Sequence, residues 1–237
     1  MHTSSHTPDS PHSSHASGHG PCAGLRITVC RGAEHCPHCA VQAPHLADAL
    51  REALDPAHIA ARLAERLGET PKPHHTLRIA ISHCPNGCSQ PQIVDLGLIG
   101  AAVPALDADA CSGCGACVET CRENALVIHD GRVTAIDRER CLSCGECATA
   151  CPSDALTIER TGLRVLVGGK LGRHPRLGEQ LPGIFDVQTI PRVATALIDT
   201  YLAHMARGER LGDTVTRLGI APFAQAAHSA AVDAPCR

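Results

Sequence analysis

Across 237 residues an apolar fraction of 43% is ordinary for a soluble globular protein, while a formal charge of −3 leaves no basic surplus for phosphates and excludes nucleic acid as a partner. No run approaches the roughly 18 consecutive apolar residues of a membrane span, and the N-terminal segment lacks the basic, then apolar, then small-residue order of a secretory signal, so no membrane association and a cytoplasmic location are expected. Fifteen cysteines in that reducing compartment read as metal ligands or redox groups rather than disulfides.

Residues 1–22 are mostly Ser, Thr, Pro, Gly and His with almost no apolar side chain, and are expected to be disordered. Their histidines (His2, His6, His12, His15, His19) suit divalent metal, though a solvated tail is the plainer reading. The first folded region is expected over 23–104. Leu25, Ile27 and Val29 alternate as in a half-buried strand that runs into Cys30. Leu46, Leu50 and Leu54 mark a helix, which Asp55-Pro56 stops while capping a second helix striped by Ile59, Leu63 and Leu67 before Gly68. Leu77, Ile79 and Ile81 form another alternating strand ending in a loop at Cys84, and Ile93 to Val103 reads as a glycine-punctuated strand or strand pair. Strand, helices, strand is an α/β (α+β) pattern.

The next region, 105–160, is an internal duplication. Cys111, Cys114, Cys117 and Cys121 recur at Cys141, Cys144, Cys147 and Cys151, an offset of 30 (141 less 111), and Ala125-Leu126 recurs at Ala155-Leu156. Each half is C-x2-C-x2-C-x3-C, the spacing at which three thiolates hold one [4Fe–4S] cube and the fourth reaches across to the other. One cluster then takes Cys111, Cys114, Cys117 and Cys151; the second takes Cys141, Cys144, Cys147 and Cys121. Gly113, Gly115 and Gly145 let the loops wrap closely. The second half ends in Cys151-Pro152, as bacterial ferredoxins do, whereas the first ends in Cys121-Arg122, a departure expected to alter packing around the second cluster. Zinc is the competing reading, but duplicated 2-2-3 spacing is hard to arrange as separate tetrahedra.

Over 161–220 a strand resumes at Leu163 to Val167, leads into Gly168-Gly169-Lys170, and is followed by a helix carrying Val193, Leu197, Tyr201 and Met205. Residues 221–237 read as a flexible alanine-rich tail. Phe185, Phe223 and Tyr201 are the only aromatic rings, so the core must be built from Leu, Ile, Val and Ala, with a bound cofactor supplying some of the missing bulk.

Four more cysteines form two pairs at the ends of the first two strands, Cys30 with Cys36 and Cys84 with Cys88, enough for a third [4Fe–4S] cluster if the strands are adjacent. The stretch Ile79 to Gly100, with Cys30 to Cys36 upstream, resembles the sirohaem-binding signature of the sulfite and nitrite reductases. Val167-Gly-Gly-Lys-Leu-Gly-Arg-His-Pro175 and Gly208-Glu-Arg-Leu-Gly212, with the inserted ferredoxin, are similar to the small, anaerobic and dissimilatory-type members. The resemblance implies a sirohaem-reductase-like half-domain with an inserted two-cluster ferredoxin-like domain. It implies a cluster on Cys30, Cys36, Cys84 and Cys88, with Cys88 also the axial ligand of a sirohaem. Asn86 and the loop from Gly168 and Gly169 to Arg173 would lie against the macrocycle, and Lys170 or Arg173 would pair with its carboxylates or an anionic substrate. The implied activity is reduction of a small inorganic anion, sulfite or nitrite, with the ferredoxin relaying electrons from an electron-donor protein. The full-length reductases carry two such halves, and this chain corresponds to the second. It is expected either to pair with a second subunit or second copy, or to be a non-catalytic multi-cluster carrier without sirohaem. Cys22, Cys39 and Cys236 have no assigned partner and read as free thiols; His35, His38 and His83 read as packing or hydrogen-bonding residues beside the cysteines.

Overall fold

The computed structural model describes residues 24–31 and 36–232; the histidine-rich segment, Cys22, His35 and Cys236 lie outside them. The two alternating segments become strands β1 (Leu25–Val29) and, after the helices, β2 (Leu77–Ser82), parallel neighbours with Val29 opposite Ile81. The crossover between them is α1 (Leu46–Ala53) and α2 (Pro56–Leu67). Asp55 accepts from the Ala57 N–H at 3.0 Å with Pro56 in the first turn, and Gly68 closes the helix at a left-handed φ of 69°.

The glycine-punctuated stretch is a single strand, β3 (Leu96–Leu106), parallel to β2. Its glycines are contact points rather than turns. A Cβ on Gly97 would collide with the Pro91 carbonyl oxygen and one on Gly100 with that of His83, so both let the 83–95 connection lie on the strand. The inserted module follows: α3 (Ala116–Thr120), the hairpin β4 (Leu126–His129) and β5 (Arg132–Ile136), and α4 (Glu146–Thr149). The chain re-enters the sheet as β6 (Leu156–Val167), antiparallel to β3, with Leu106 opposite Leu156 at the neck and Leu96 opposite Val167 at the far end. Short β7 (Glu179–Gln180) completes the order β1-β2-β3-β6-β7.

Three helices close the chain: α5 (Ile190–His204), α6 (Leu211–Leu218) and α7 (Ala221–Val232). The last corrects the expected flexible tail after 221, because Phe223 and Ala227 are fully buried in the main core. Alanines give almost no hydrophobic stripe to read, yet their small side chains allow a close helix approach. Ile79, Leu98 and Val165 share one sheet face with Leu50, Leu63 and Leu197 in that core. A second, smaller core inside the module is built around Cys111, Cys117 and Cys147 with Val133 and Leu156. Among the described residues, no helix is long and apolar enough to cross a membrane.

Candidate functional site

The duplication extends to the backbone. Gly113 and its counterpart Ser143 both take left-handed φ, at 73° and 53°, as do Gly115 and Gly145, at 79° and 80°, and Asn124 and Asp154, at 48° and 54°. Left-handed residues turn main-chain N–H groups toward the sulfurs. Cys111 Sγ accepts from the Val133 N–H, Cys121 from Ala125 and Cys141 from Ser143, each at 3.4 Å.

Each crossover quartet surrounds its own void. Cys111, Cys114, Cys117 and Cys151 line one of about 390 Å3. Cys121, Cys141, Cys144 and Cys147 line another of about 640 Å3, whose wall includes Arg122, at the position that departs from the ferredoxin pattern. The electrostatics of the thiols follow the same grouping. Burial raises Cys117, and Cys151, Cys111 and Cys114 push the same way. Burial pushes Cys147 up to about 12, with Cys144, Cys141 and Cys121 adding to it. Conversely the Gly113 and then the Val133 N–H groups hold Cys111 below the usual thiol value. A buried thiol raised this far keeps its proton at neutral pH until a cation displaces it. The donor set fits a [4Fe–4S] core in each void: four sulfurs around a cavity, with N–H groups aimed at them.

The third quartet forms at the carboxyl ends of adjacent parallel strands, where open α/β sheets place their ligands. The Cys30 N–H donates to the Ile81 carbonyl at 2.9 Å, bringing the two cysteine loops side by side. Burial raises Cys84, the Asn86 N–H lowers it, and Cys36, Cys88 and Cys30 all act on it. The Ser82 and Ser89 hydroxyls, 2.7 Å apart, pin the Cys84–Cys88 loop shut, and Gly87 turns it at a φ of 64°. Sequence reasoning missed the serine pair, which has no motif of its own. Asn86 and Cys88 are both exposed, and Pro85 and Asn86 form part of the wall of the larger void. His83 is buried with Nδ1 3.4 Å from Cys30 Sγ, and His38 joins Glu146 of α4 at 2.7 Å. The Cys39 thiol donates to the Val41 carbonyl at 3.1 Å.

The distant motifs converge on the 91–95 segment. The Gly87 position abuts the Gln92 side chain, while the Gln92 carbonyl accepts from the Gly178 N–H at 2.7 Å and, with the Val94 carbonyl, blocks any Cβ on Gly169. Gly168 packs on Gly212, and Asp95, 2% exposed, accepts from Arg210 at 3.1 Å and from the Arg78 N–H at 2.9 Å. Lys170 is paired with Asp213. Arg173 is exposed, with no ion pair among the described residues. The loop of Gly168 and Gly169 and the loop of Asn86 and Cys88 thus rest on one segment, although the glycines face protein.

A sheet whose strand ends gather thiols, carrying a module with two more thiol-lined voids, defines an iron–sulfur oxidoreductase class. Residues 24–232 match the nitrite and sulphite reductase 4Fe-4S domain, and the chain belongs to that family. A coenzyme F420-dependent sulfite reductase from Methanocaldococcus jannaschii is 38% identical over 172 residues, 72% of this chain but 27% of that protein. One subunit of an anaerobic sulfite reductase from Salmonella typhimurium is 46% identical over 56 residues, 24% of this chain and 16% of that subunit. The chain therefore spans about a quarter or less of the length of these relatives. The crystal structure of dissimilatory sulfite reductase I superposes with a TM-score of 0.57 at 19% identity, covering 91% of this chain and 55% of that one, and shares its fold.

Proposed function

We propose that this chain is the cluster-bearing half of a sirohaem-dependent reductase, with sulfite favoured over nitrite by what its relatives are named for. The observation carrying the reading is the placement of the voids. The larger one borders the Cys84–Cys88 loop through Pro85 and Asn86, whereas the smaller is walled by module residues such as Gly131 and Val133 with the neck residue Leu106. That arrangement supports one order of electron flow: a donor protein delivers to the cluster on Cys111, Cys114, Cys117 and Cys151. The electron passes to the one on Cys141, Cys144, Cys147 and Cys121, and then to the Cys30, Cys36, Cys84 and Cys88 centre.

Sirohaem, when bound, supplies the iron at which the oxyanion is reduced. Cys88, exposed where its loop closes at Ser89, offers the thiolate for it, and Asn86, also exposed, lies in the same loop. Gly169 holds its loop against Gln92 and Val94 by close backbone approach, and the Gly168 N–H donates to the Asp95 carbonyl. Exposed Arg173 carries the charge available to a carboxylate or anion, and Lys170 reaches one only by exchanging Asp213. The remaining grip on substrate is assigned to a second subunit or second copy.

The test is the visible spectrum of protein purified anaerobically from cells able to make sirohaem, with iron, labile sulfide and zinc measured. A Soret band and a red-region band with about twelve cluster irons plus one haem iron per chain support the proposal. A brown sample with only broad iron–sulfur absorbance sinks the sirohaem assignment and leaves a multi-cluster carrier. A colourless zinc protein sinks both.

A further inference from the structure

His83 stands at the joint of the strand-end quartet. It directly precedes Cys84 and is only 3% exposed. Its main chain holds the loop that follows Cys36: the His83 carbonyl accepts from the Ala40 N–H at 2.9 Å and from the Val41 N–H at 3.2 Å, and the Cys39 N–H closes that loop on the Cys36 carbonyl at 3.1 Å. Its side chain meets Cys30, with Nδ1 3.4 Å from Sγ, while Nε2 is buried without a hydrogen-bond partner. One residue therefore touches both cysteine pairs. An iron-bound thiolate carries no proton and can only accept, so once Cys30 is a ligand the contact is a hydrogen bond only with the proton on Nδ1. Nε2, which has no partner, is then the nitrogen left unprotonated. In the module the sulfurs of Cys111, Cys121 and Cys141 take main-chain donors; at Cys30 the partner is a side chain, which a substitution can remove.

Resting on the third [4Fe–4S] cluster proposed above, we propose that His83 is a positioning residue for that cluster: its Nδ1–H donates to the Cys30 sulfur and raises the potential of the strand-end centre, favouring arrival of the electron there. Reduction adds one negative charge to a cluster, and a donor aimed at one of its sulfurs stabilises the more negative state more. One electron leaves the cluster on Cys141, Cys144, Cys147 and Cys121, which is oxidised, and enters the strand-end cluster, which is reduced. His83 keeps its proton throughout, and no covalent bond changes. It acts through a single ligand sulfur, as the outer partners of metal ligands do.

The experiment is an EPR-monitored redox titration of the full chain, purified anaerobically, as the parent and as His83→Leu and His83→Asn. Cys36→Ser identifies the strand-end couple by its altered signal. Leucine removes the donor while keeping an apolar side chain in the site and the main-chain contacts of residue 83; asparagine returns an N–H near the position of Nδ1. His83→Leu is expected to lower the equilibrium constant for reducing the strand-end cluster about tenfold, or about 59 mV for a one-electron couple, with both module couples unmoved. His83→Asn is expected to recover most of it. In pulsed EPR, the parent labelled at its histidine nitrogens is expected to show hyperfine coupling to the reduced strand-end cluster, lost in His83→Leu. A parent without that coupling, a strand-end couple that does not fall in the leucine variant, couples that all move together, or an asparagine variant that behaves like leucine overturns the proposal while leaving the cluster in place. A parent chain lacking a third cluster by iron, sulfide and EPR overturns the cluster assignment and the proposal together.

Discussion

Cys88 is the one exposed member of the strand-end quartet, whereas Cys84 is buried. This division suits the proposed sharing of the Cys88 thiolate between a cluster and a haem. Cys88→Ser is expected to abolish haem retention while both module clusters stay reducible by dithionite; a Soret band retained at parental intensity would refute the ligand assignment. A second residue-scale expectation concerns Glu209, which lies in the Gly208 to Gly212 motif. A hydrogen bond from the Arg217 guanidinium, helped by the Ala206 N–H and the Thr214 hydroxyl, holds its carboxyl down at about 2. A carboxyl depressed in the folded state contributes stability that is full above its unfolded value of 4.5 and is lost as pH falls through about 2. Arg217 is 43% exposed, so solvent screening reduces the gain to about 1–2 kcal/mol. In urea titrations Glu209→Gln should cost that much at pH 7, with a gap that stays constant down to about pH 5.5 and narrows below about 4.5. The eight thiols that line the two voids were legible at this scale because the proposed cluster chemistry demands fixed short spacings. The serine clasp at Ser82 and Ser89 was not, since two serines seven positions apart carry no periodic signal.

Among the elements, β3 shows how a strand can be shaped by what lies on it. Gly97 and Gly100 are small because the connection carrying Cys84 and Cys88 crosses directly above them. Gly100→Ala would place a methyl group against the His83 carbonyl and Val41, an overpacking that costs about 1–3 kcal/mol. It should lower the midpoint of thermal unfolding and, by shifting His83 and Cys84, reduce iron at the strand-end quartet while sparing the module clusters. Equal loss of iron from all sites would count against that local account. The same glycines made a strand pair plausible from sequence, since a glycine at a turn and a glycine under a crossing backbone are indistinguishable without the crossing segment. Helix α7 escaped notice for the converse reason. It is fixed mainly by Phe223 and Ala227 packing into the main core, and an alanine-rich run shows no apolar stripe by which to read that burial.

For the whole molecule, two cores of different origin meet at the β3–β6 neck. The sheet and its helices bury a large aliphatic core, while the module between Leu106 and Leu156 has a small one built half from cysteines. A segment of about fifty residues cannot stabilise itself on so little apolar area without metal. Iron removal with a chelator under reducing conditions should therefore raise amide exchange across residues 107–155 and leave β1, β2 and α5 protected. Protection surviving uniformly in the module would mean that its fold does not depend on the clusters. The sequence by itself determined the local features: eight module cysteines at duplicated spacing, strands that end in cysteine loops, and a capped helix pair. These are set by spacing, alternation and turn residues within a few positions of one another. Only the tertiary structure decided that the void of Cys121, Cys141, Cys144 and Cys147 faces the Cys84–Cys88 loop. It likewise decided that Gln92 joins that loop to the Gly168–Gly169 turn. Those relations depend on which distant backbones pack together, and packing leaves no period in the chain.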